Sequence, residues 1–174
     1  MGECLAVEDS RMWARVELPE IPGPVAGFTF PRDDVVYVLT PDGLVRVTLT
    51  PAVDVRRVAD AATLADAYGP GGLVWDSQVH LVYDADGGDI TACDHPNGDR
   101  IVPDLDGTLL IMDTSEREVR QRIESIRLPT GDSWLYAGFS HDYRWLVAGE
   151  PGGLQVFRYV RAAEPLVAPD PRRQ

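Results

Sequence analysis

Asp104 and Asp106 flank Leu105 and run directly into Gly107-Thr108-Leu109-Leu110. Two carboxylates on either side of one residue at a strand end would both face a phosphate. One would serve as nucleophile and the other as acid, with Mg²⁺ between them. A second acidic group, Asp84, Asp86 and Asp89 in "YDADGGDITACD" (83 to 94), could offer oxygens to Ca²⁺. A third cluster is aromatic and basic: Trp134, Tyr143, Arg144 and Trp145 are the residue types that centres of protein interfaces use. The elements that carry these residues decide between them.

The Asp104–Leu110 segment resembles the DxDGTL loop of haloacid-dehalogenase phosphatases. That resemblance implies a Ser or Thr on a second strand, a Lys or Arg for the phosphoryl oxygens, and a further acidic pair for Mg²⁺. The chain has no lysine and no later GDxxxD pattern, and its residues beyond Asp106 read as β hairpins. Pro103 also removes a ladder donor from what should be a buried central strand. Asp106-Gly107 therefore reads as a turn and Thr108 to Met112 as a half-buried strand. The acidic loop fails as an EF-type site because Gly88 occupies position 5 and Asp89 position 6, where the glycine belongs at 6. Asp84, Asp86 and Asp89 are the weak metal candidates, and a solvated hairpin tip is the simpler reading.

His80, His95 and His141 are far apart, and no Ser-His-Asp or Cys-His order is present. Cys4 and Cys93 have no CxxC spacing, so neither zinc nor a disulfide framework is indicated. Buried free thiols are expected. No catalytic residue and no cofactor is assigned.

Four segments share one grammar, an apolar strand, a glycine-bearing turn and a second strand. They are "VVYVLT-PDG-LVRVTLT", "VHLVYDA-DGG-DITACD", "DRIVPDL-DG-TLLIMDT" and "RWLVAGE-PGG-LQVFRYV". A longer echo precedes two of them: Leu18-Pro19 with Ala26-Gly27-Phe28-Thr29 matches Leu128-Pro129 with Ala137-Gly138-Phe139-Ser140. Repetition at this scale signals a propeller, solenoid or array. Segment order resembles β-propeller proteins of the YVTN and WD40-like kind, although no GH…WD signature occurs. The resemblance implies an all-β, propeller-like array of about four antiparallel hairpins or blades. Either a ring of four closes by pairing "MWARVEL" with the last blade, or an incomplete propeller needs a partner or second copy to cover its edges.

Two segments depart from the pattern. Ala-rich "VADAATLADAY" (58 to 68) is expected as a short helix or loop ended by "YGPGG". In 115 to 126, Ser115 and Glu118 have capping-box spacing and Val119, Ile123 and Ile126 helical spacing, but a strand burying Val119, Gln121 and Ile123 is favoured. One domain over 1 to 160 and a flexible Pro-rich tail over 161 to 174 complete the layout.

The 174 residues carry a net charge of −12, from 28 Asp and Glu against 16 Arg. This balance argues against nucleic-acid and membrane partners. An all-Arg basic set is what a GC-rich genome produces. The first ten residues lack a basic segment and an apolar run, which implies a cytoplasmic protein. The function expected is a noncatalytic protein-interaction scaffold whose partner is another protein or a second copy. The alternatives are a propeller hydrolase or lactonase using Ca²⁺ or Mg²⁺, and an acidic immunity or antitoxin-like protein neutralising a basic partner.

Overall fold

The computed structural model describes residues 13–84, 94–96, 99–103, 108–113, 122–127, 136–150 and 152–160. The chain is built from β1 (Trp13–Val16), β2 (Gly27–Phe28), β3 (Val35–Thr40), β4 (Gly43–Thr48), β5 (Asp54–Asp60), α1 (Ala61–Ala67), β6 (Tyr68–Gly69), β7 (Gly72–Trp75) and β8 (Gln78–His80). It continues through β9 (Tyr83–Asp84), β10 (Asp99–Pro103), β11 (Thr108–Asp113), β12 (Arg122–Arg127), β13 (Tyr136–Phe139), β14 (Trp145–Glu150) and β15 (Gly153–Tyr159). All named strand pairs are antiparallel and fall into four sheets, in the orders β5-β4-β3-β2-β9 (sheet I), β6-β7-β8 (sheet II), β10-β11-β12 (sheet III) and β1-β15-β14-β13 (sheet IV). The all-β expectation holds.

Local chemistry explains the hairpins. In β3 and β4, branched residues meet across a two-residue Pro41-Asp42 turn, with Thr40 opposite Gly43. Gly43 has φ of 133°, and a Cβ there would lie 2.1 Å from the Ala59 carbonyl oxygen, so only glycine fits where β5 shifts register against β4. The expected hairpins at β10–β11 and β14–β15 are also present. The short helix is α1, whose N-cap Asp60 accepts the Thr63 N–H at 2.8 Å. Its one buried side chain, Leu64, packs with Leu44 and Leu73.

"VHLVYDA" departs from expectation. It is divided between two sheets: β8 pairs with β7, while Tyr83 and Asp84 pair with Phe28 and Gly27 of β2. The β7–β8 hairpin turns on Asp76 and Ser77, at φ of 48° and 62°. Two left-handed residues make the tight turn that suits twisted strands, and Asn-Gly is its usual sequence. Asp-Ser carries no such signal. The Tyr37 hydroxyl donates to the Asp76 carboxylate and ties this turn to sheet I. The strand expected from "DITACD" lies outside the described residues except Asp94, which bridges to Arg100. For 115 to 126, strand is observed over 122–127, and residues 114–121 lie outside the described residues. The tail from 161 lies outside them as well.

The AGFT/AGFS echo is structural. Thr29 N–H donates to the Tyr37 carbonyl at 2.9 Å while Thr29 Oγ1 accepts the Tyr37 N–H at 3.0 Å. Ser140 N–H donates to the Trp145 carbonyl at 2.8 Å while Ser140 Oγ accepts the Trp145 N–H at 3.0 Å. Two segments 111 residues apart in the chain thus leave their strands by the same reciprocal bond.

Three apolar clusters order the sheets. Val36, Val38, Val45 and Val47 of sheet I pack with Trp145, Val147 and Val156 of sheet IV. The other face of sheet IV, with Leu146, Ala148 and Phe157, packs with Trp13 and with Ile101 of sheet III. The other face of sheet I, with Tyr37, Leu39 and Leu44, packs with Leu73 of sheet II. The stacking order is III, IV, I, II, and sheets I and IV are buried on both faces. Each fully buried Val contributes about 1.5–3 kcal/mol. The N-terminal strand pairs with the last hairpin, one of the two arrangements the sequence leaves open, with Trp13 opposite Tyr159 and Val16 opposite Val156.

Candidate functional site

A cleft of about 500 Å³ opens where sheets I, II and IV meet. Each sheet supplies the residues that come after an ending strand. Thr29, Phe30, Pro31 and Arg32 come from the segment after β2, Val79, His80 and Leu81 from the end of β8, and Phe139 and His141 from the end of β13, with Tyr83 of β9 completing the wall. The Asp33-Asp34 turn, at φ of 50° and 61°, folds Arg32 back onto Val35, with both backbone bonds at 3.0 Å. Phe30 packs edge-on against Tyr83 with ring centroids 4.5 Å apart, and against Phe28 at 5.7 Å. A Cβ on Gly138 would lie 2.5 Å from Phe30 Cζ, so the glycine of AGFS admits this ring.

The basic side chains of the cleft are Arg32, His80 and His141. His80 packs against Tyr37 at 5.0 Å, and its Nε2 is buried without a hydrogen-bond partner among the described residues. Burial, with the hydrogen bond to Asp76 and that carboxylate's charge, pushes the Tyr37 phenol up to about 12. It remains a neutral donor at physiological pH and serves as no nucleophile.

The aromatic and basic candidates lie elsewhere. Trp145 is only 2% exposed, so its indole is a core group and not a surface anchor. Its Nε1–H donates to Asp34 Oδ1 at 2.9 Å, and the Arg158 guanidinium lies 5.9 Å from its ring centroid. Arg144 pairs with Asp34 at 2.7 Å and with Asp142 at 2.6 Å. Thr50 Oγ1 donates to Asp34 Oδ2 at 2.5 Å. Burial works to raise the Asp34 carboxyl, but the bonds from Thr50 and Trp145 and the charge of Arg144 outweigh it and hold the group below its ordinary value. Asp142 is likewise lowered against burial by Ser140 and Arg144. This constellation staples sheet I to sheet IV. Tyr143, 41% exposed, presents its ring to solvent and its carbonyl to His95 Nε2, which donates at 2.9 Å. Trp134 lies outside the described residues.

His95 is a satisfied core histidine, within 5.0 to 5.5 Å of the rings of Trp13, Phe139, Tyr143 and Tyr159. Asp84 accepts a hydrogen bond from the Tyr68 hydroxyl. Asp86, Asp89, Asp104, Asp106, Cys4 and Cys93 lie outside the described residues. Among the described residues, no three His, Cys, Asp or Glu side chains are grouped to hold a metal ion, and no helix is long and apolar enough to cross a membrane.

Sequence reasoning missed the cleft and the staple. The available signal was the echo itself, which sets Phe28-Thr29-Phe30 and Phe139-Ser140-His141 at equivalent strand ends. No family model, no curated protein and no solved structure matches this chain.

Proposed function

We propose that this chain is a noncatalytic protein-interaction module built on a propeller-like array of four antiparallel sheets, an incomplete propeller. What supports the array is the III, IV, I, II stacking, the double-faced burial of sheets I and IV, and the N-terminal strand that completes sheet IV beside β15.

The observation that carries the interaction reading is the outer face of sheet II. Leu73 points into the core, so its neighbour Val74 points out, opposite Val79 across the β7–β8 pair. Leu81 lies on the same side by the two-residue period. Val74, Val79 and Leu81 are 56%, 60% and 70% exposed. A sheet face left to water is ordinarily polar, whereas the equivalent faces of sheets I and IV are covered. The surrounding chain sets the sign of the partner. Between Arg57 and Arg100 there is no Arg or Lys, while eight aspartates run from Asp60 to Asp99. A protein with an apolar centre and a basic rim fits this face. A second copy would bring acid against acid.

The test uses wild type and Val74→Glu/Val79→Glu as baits in extract of the source cell. A basic protein held by the first and lost from the second, with unchanged thermal unfolding, supports the reading. Equal retention, or a melting temperature collapsed by the two glutamates, overturns it.

A further inference from the structure

The cleft between sheets I, II and IV has a composition at odds with the rest of the molecule. In a chain of net charge −12, no Asp or Glu among the described residues lines it, while Arg32, His80 and His141 do. Other arginines are drawn into pairs, Arg56 with Asp54, Arg57 with Asp42, Arg100 with Asp94, and Arg144 with Asp34 and Asp142. Arg32, like Arg15, Arg46 and Arg158, makes no ion pair among the described residues, although Asp33 is its neighbour in the chain. His80 Nε2 is buried and unpaired, and leaving such a group unsatisfied costs on the order of 1–3 kcal/mol. Beside these donors the cleft wall is apolar, with Phe30, Tyr83 and Leu81. The volume of about 500 Å³ lies inside the range of small-ligand sites.

We propose that this cleft binds an organic carboxylate that carries an aromatic or branched apolar group. The guanidinium forks onto the carboxylate, a histidine donates a further bond, and the apolar group packs against Phe30, Tyr83 and Leu81. A monoanion matches the one permanent positive charge that Arg32 supplies, whereas a phosphate dianion would leave a negative charge unmatched by that single guanidinium. The carboxylate is either that of a free small molecule or the C-terminus of a peptide with an apolar last residue. For the peptide, β8 is the edge strand of sheet II beside the cleft and offers its backbone to an added strand. The peptide arm rests on the interaction reading, and the small-molecule arm stands without it.

The experiment titrates the intact chain by calorimetry with three probes: phenylacetate, a hexapeptide ending in Phe with a free carboxylate, and the same hexapeptide as its C-terminal amide. Binding of the acid peptide at least tenfold tighter than phenylacetate assigns a peptide terminus, and comparable binding of the two assigns a small carboxylate. In either case Arg32→Gln weakens binding at least tenfold, while Arg15→Gln on β1, away from the cleft, leaves it unchanged. His141→Gln, expected to weaken binding severalfold, is the second variant if Arg32→Gln does not fold. Absence of binding by both acids up to about 10 mM, equal binding of amide and acid peptide, or indifference to both cleft variants overturns the proposal. Val79 lines the cleft and Val74 does not, so Val74→Glu alone, run as a further bait, separates the two readings: undiminished partner retention by it beside intact phenylacetate binding would remove the interaction reading alone.

Discussion

The Asp34 carboxylate accepts the indole N–H of Trp145 at 2.9 Å, joining a turn of sheet I to the first residue of a strand 111 positions later. Thr50 and Arg144 bind the same carboxylate. Asp34→Asn keeps the shape and removes the charge on which these donors converge. Bonds to a charged group contribute about 1.5–3 kcal/mol, so urea unfolding should show a loss on the order of 2 kcal/mol. Combining it with Trp145→Phe should give less than the sum of the two single losses, since both remove one bond.

The same carboxylate makes stability depend on acid. Its folded value lies below the ordinary 3.8 because Thr50, Trp145 and Arg144 outweigh burial and the opposing charge of Asp142. A depressed carboxyl contributes fully above the unfolded value and loses that contribution as pH falls through the folded one. Wild type should therefore lose stability below about pH 4 more steeply than Asp34→Asn. Thermal melts at pH 7, 4 and 3 on both proteins check this, and parallel curves would contradict it.

Thr29 and Ser140 should respond alike. Thr29→Val and Ser140→Ala each leave a buried backbone N–H, of Tyr37 or Trp145, without its acceptor. Each should lower stability by about 1–3 kcal/mol in denaturant titrations. The sites lie in different sheets and share no bond, so the double variant should be additive within about 0.5 kcal/mol.

Gly149 is required by a ring. A Cβ there would lie 2.3 Å from Phe28 Cε1, between sheets IV and I. Gly149→Ala should cost about 1–3 kcal/mol through overpacking, measured as a lowered urea midpoint. Phe28→Leu in the same chain should recover part of that loss, whereas independent losses that simply add would reject the contact.

Trp13 is fully buried against Phe139 and Tyr159, with centroids 5.3 and 5.1 Å away. Trp13→Ala should cost about 3–5 kcal/mol, and hydrogen exchange should rise first along β15, its strand partner.

Strand identity is legible in the sequence wherever local pattern and local partner coincide. Val35–Thr40 and Gly43–Thr48 alternate across a two-residue turn, and Trp145–Glu150 meets Gly153–Tyr159 in the same way, so each hairpin is encoded within about 15 residues. The short helix announces itself by its Ala-rich run behind Asp60. The AGFT/AGFS echo marks equivalent strand ends by composition alone. Whatever depends on partners distant in the chain is not legible. Leu81-Val82 looks like strand interior, yet the chain leaves sheet II after His80 and enters sheet I at Tyr83, because Phe28 and Gly27 offer the free edge. Trp145 and Arg144 have the composition of an interface centre, yet Trp145 is buried with its indole on Asp34, and Arg144, though exposed, is tied up in ion pairs with Asp34 and Asp142.

An all-β chain of hairpins and its acidic charge can be read from the residues alone, because hydrogen-bond period and turn chemistry are local and charge is additive. That the N-terminal strand joins the last hairpin, that Arg32, His80 and His141 share one cleft with no acid among the described residues, and that Val74, Val79 and Leu81 share one exposed face are matters of tertiary packing. Those juxtapositions arise from the stacking of sheets whose strands are distant in the chain, and burial acts on surfaces that no local pattern encodes.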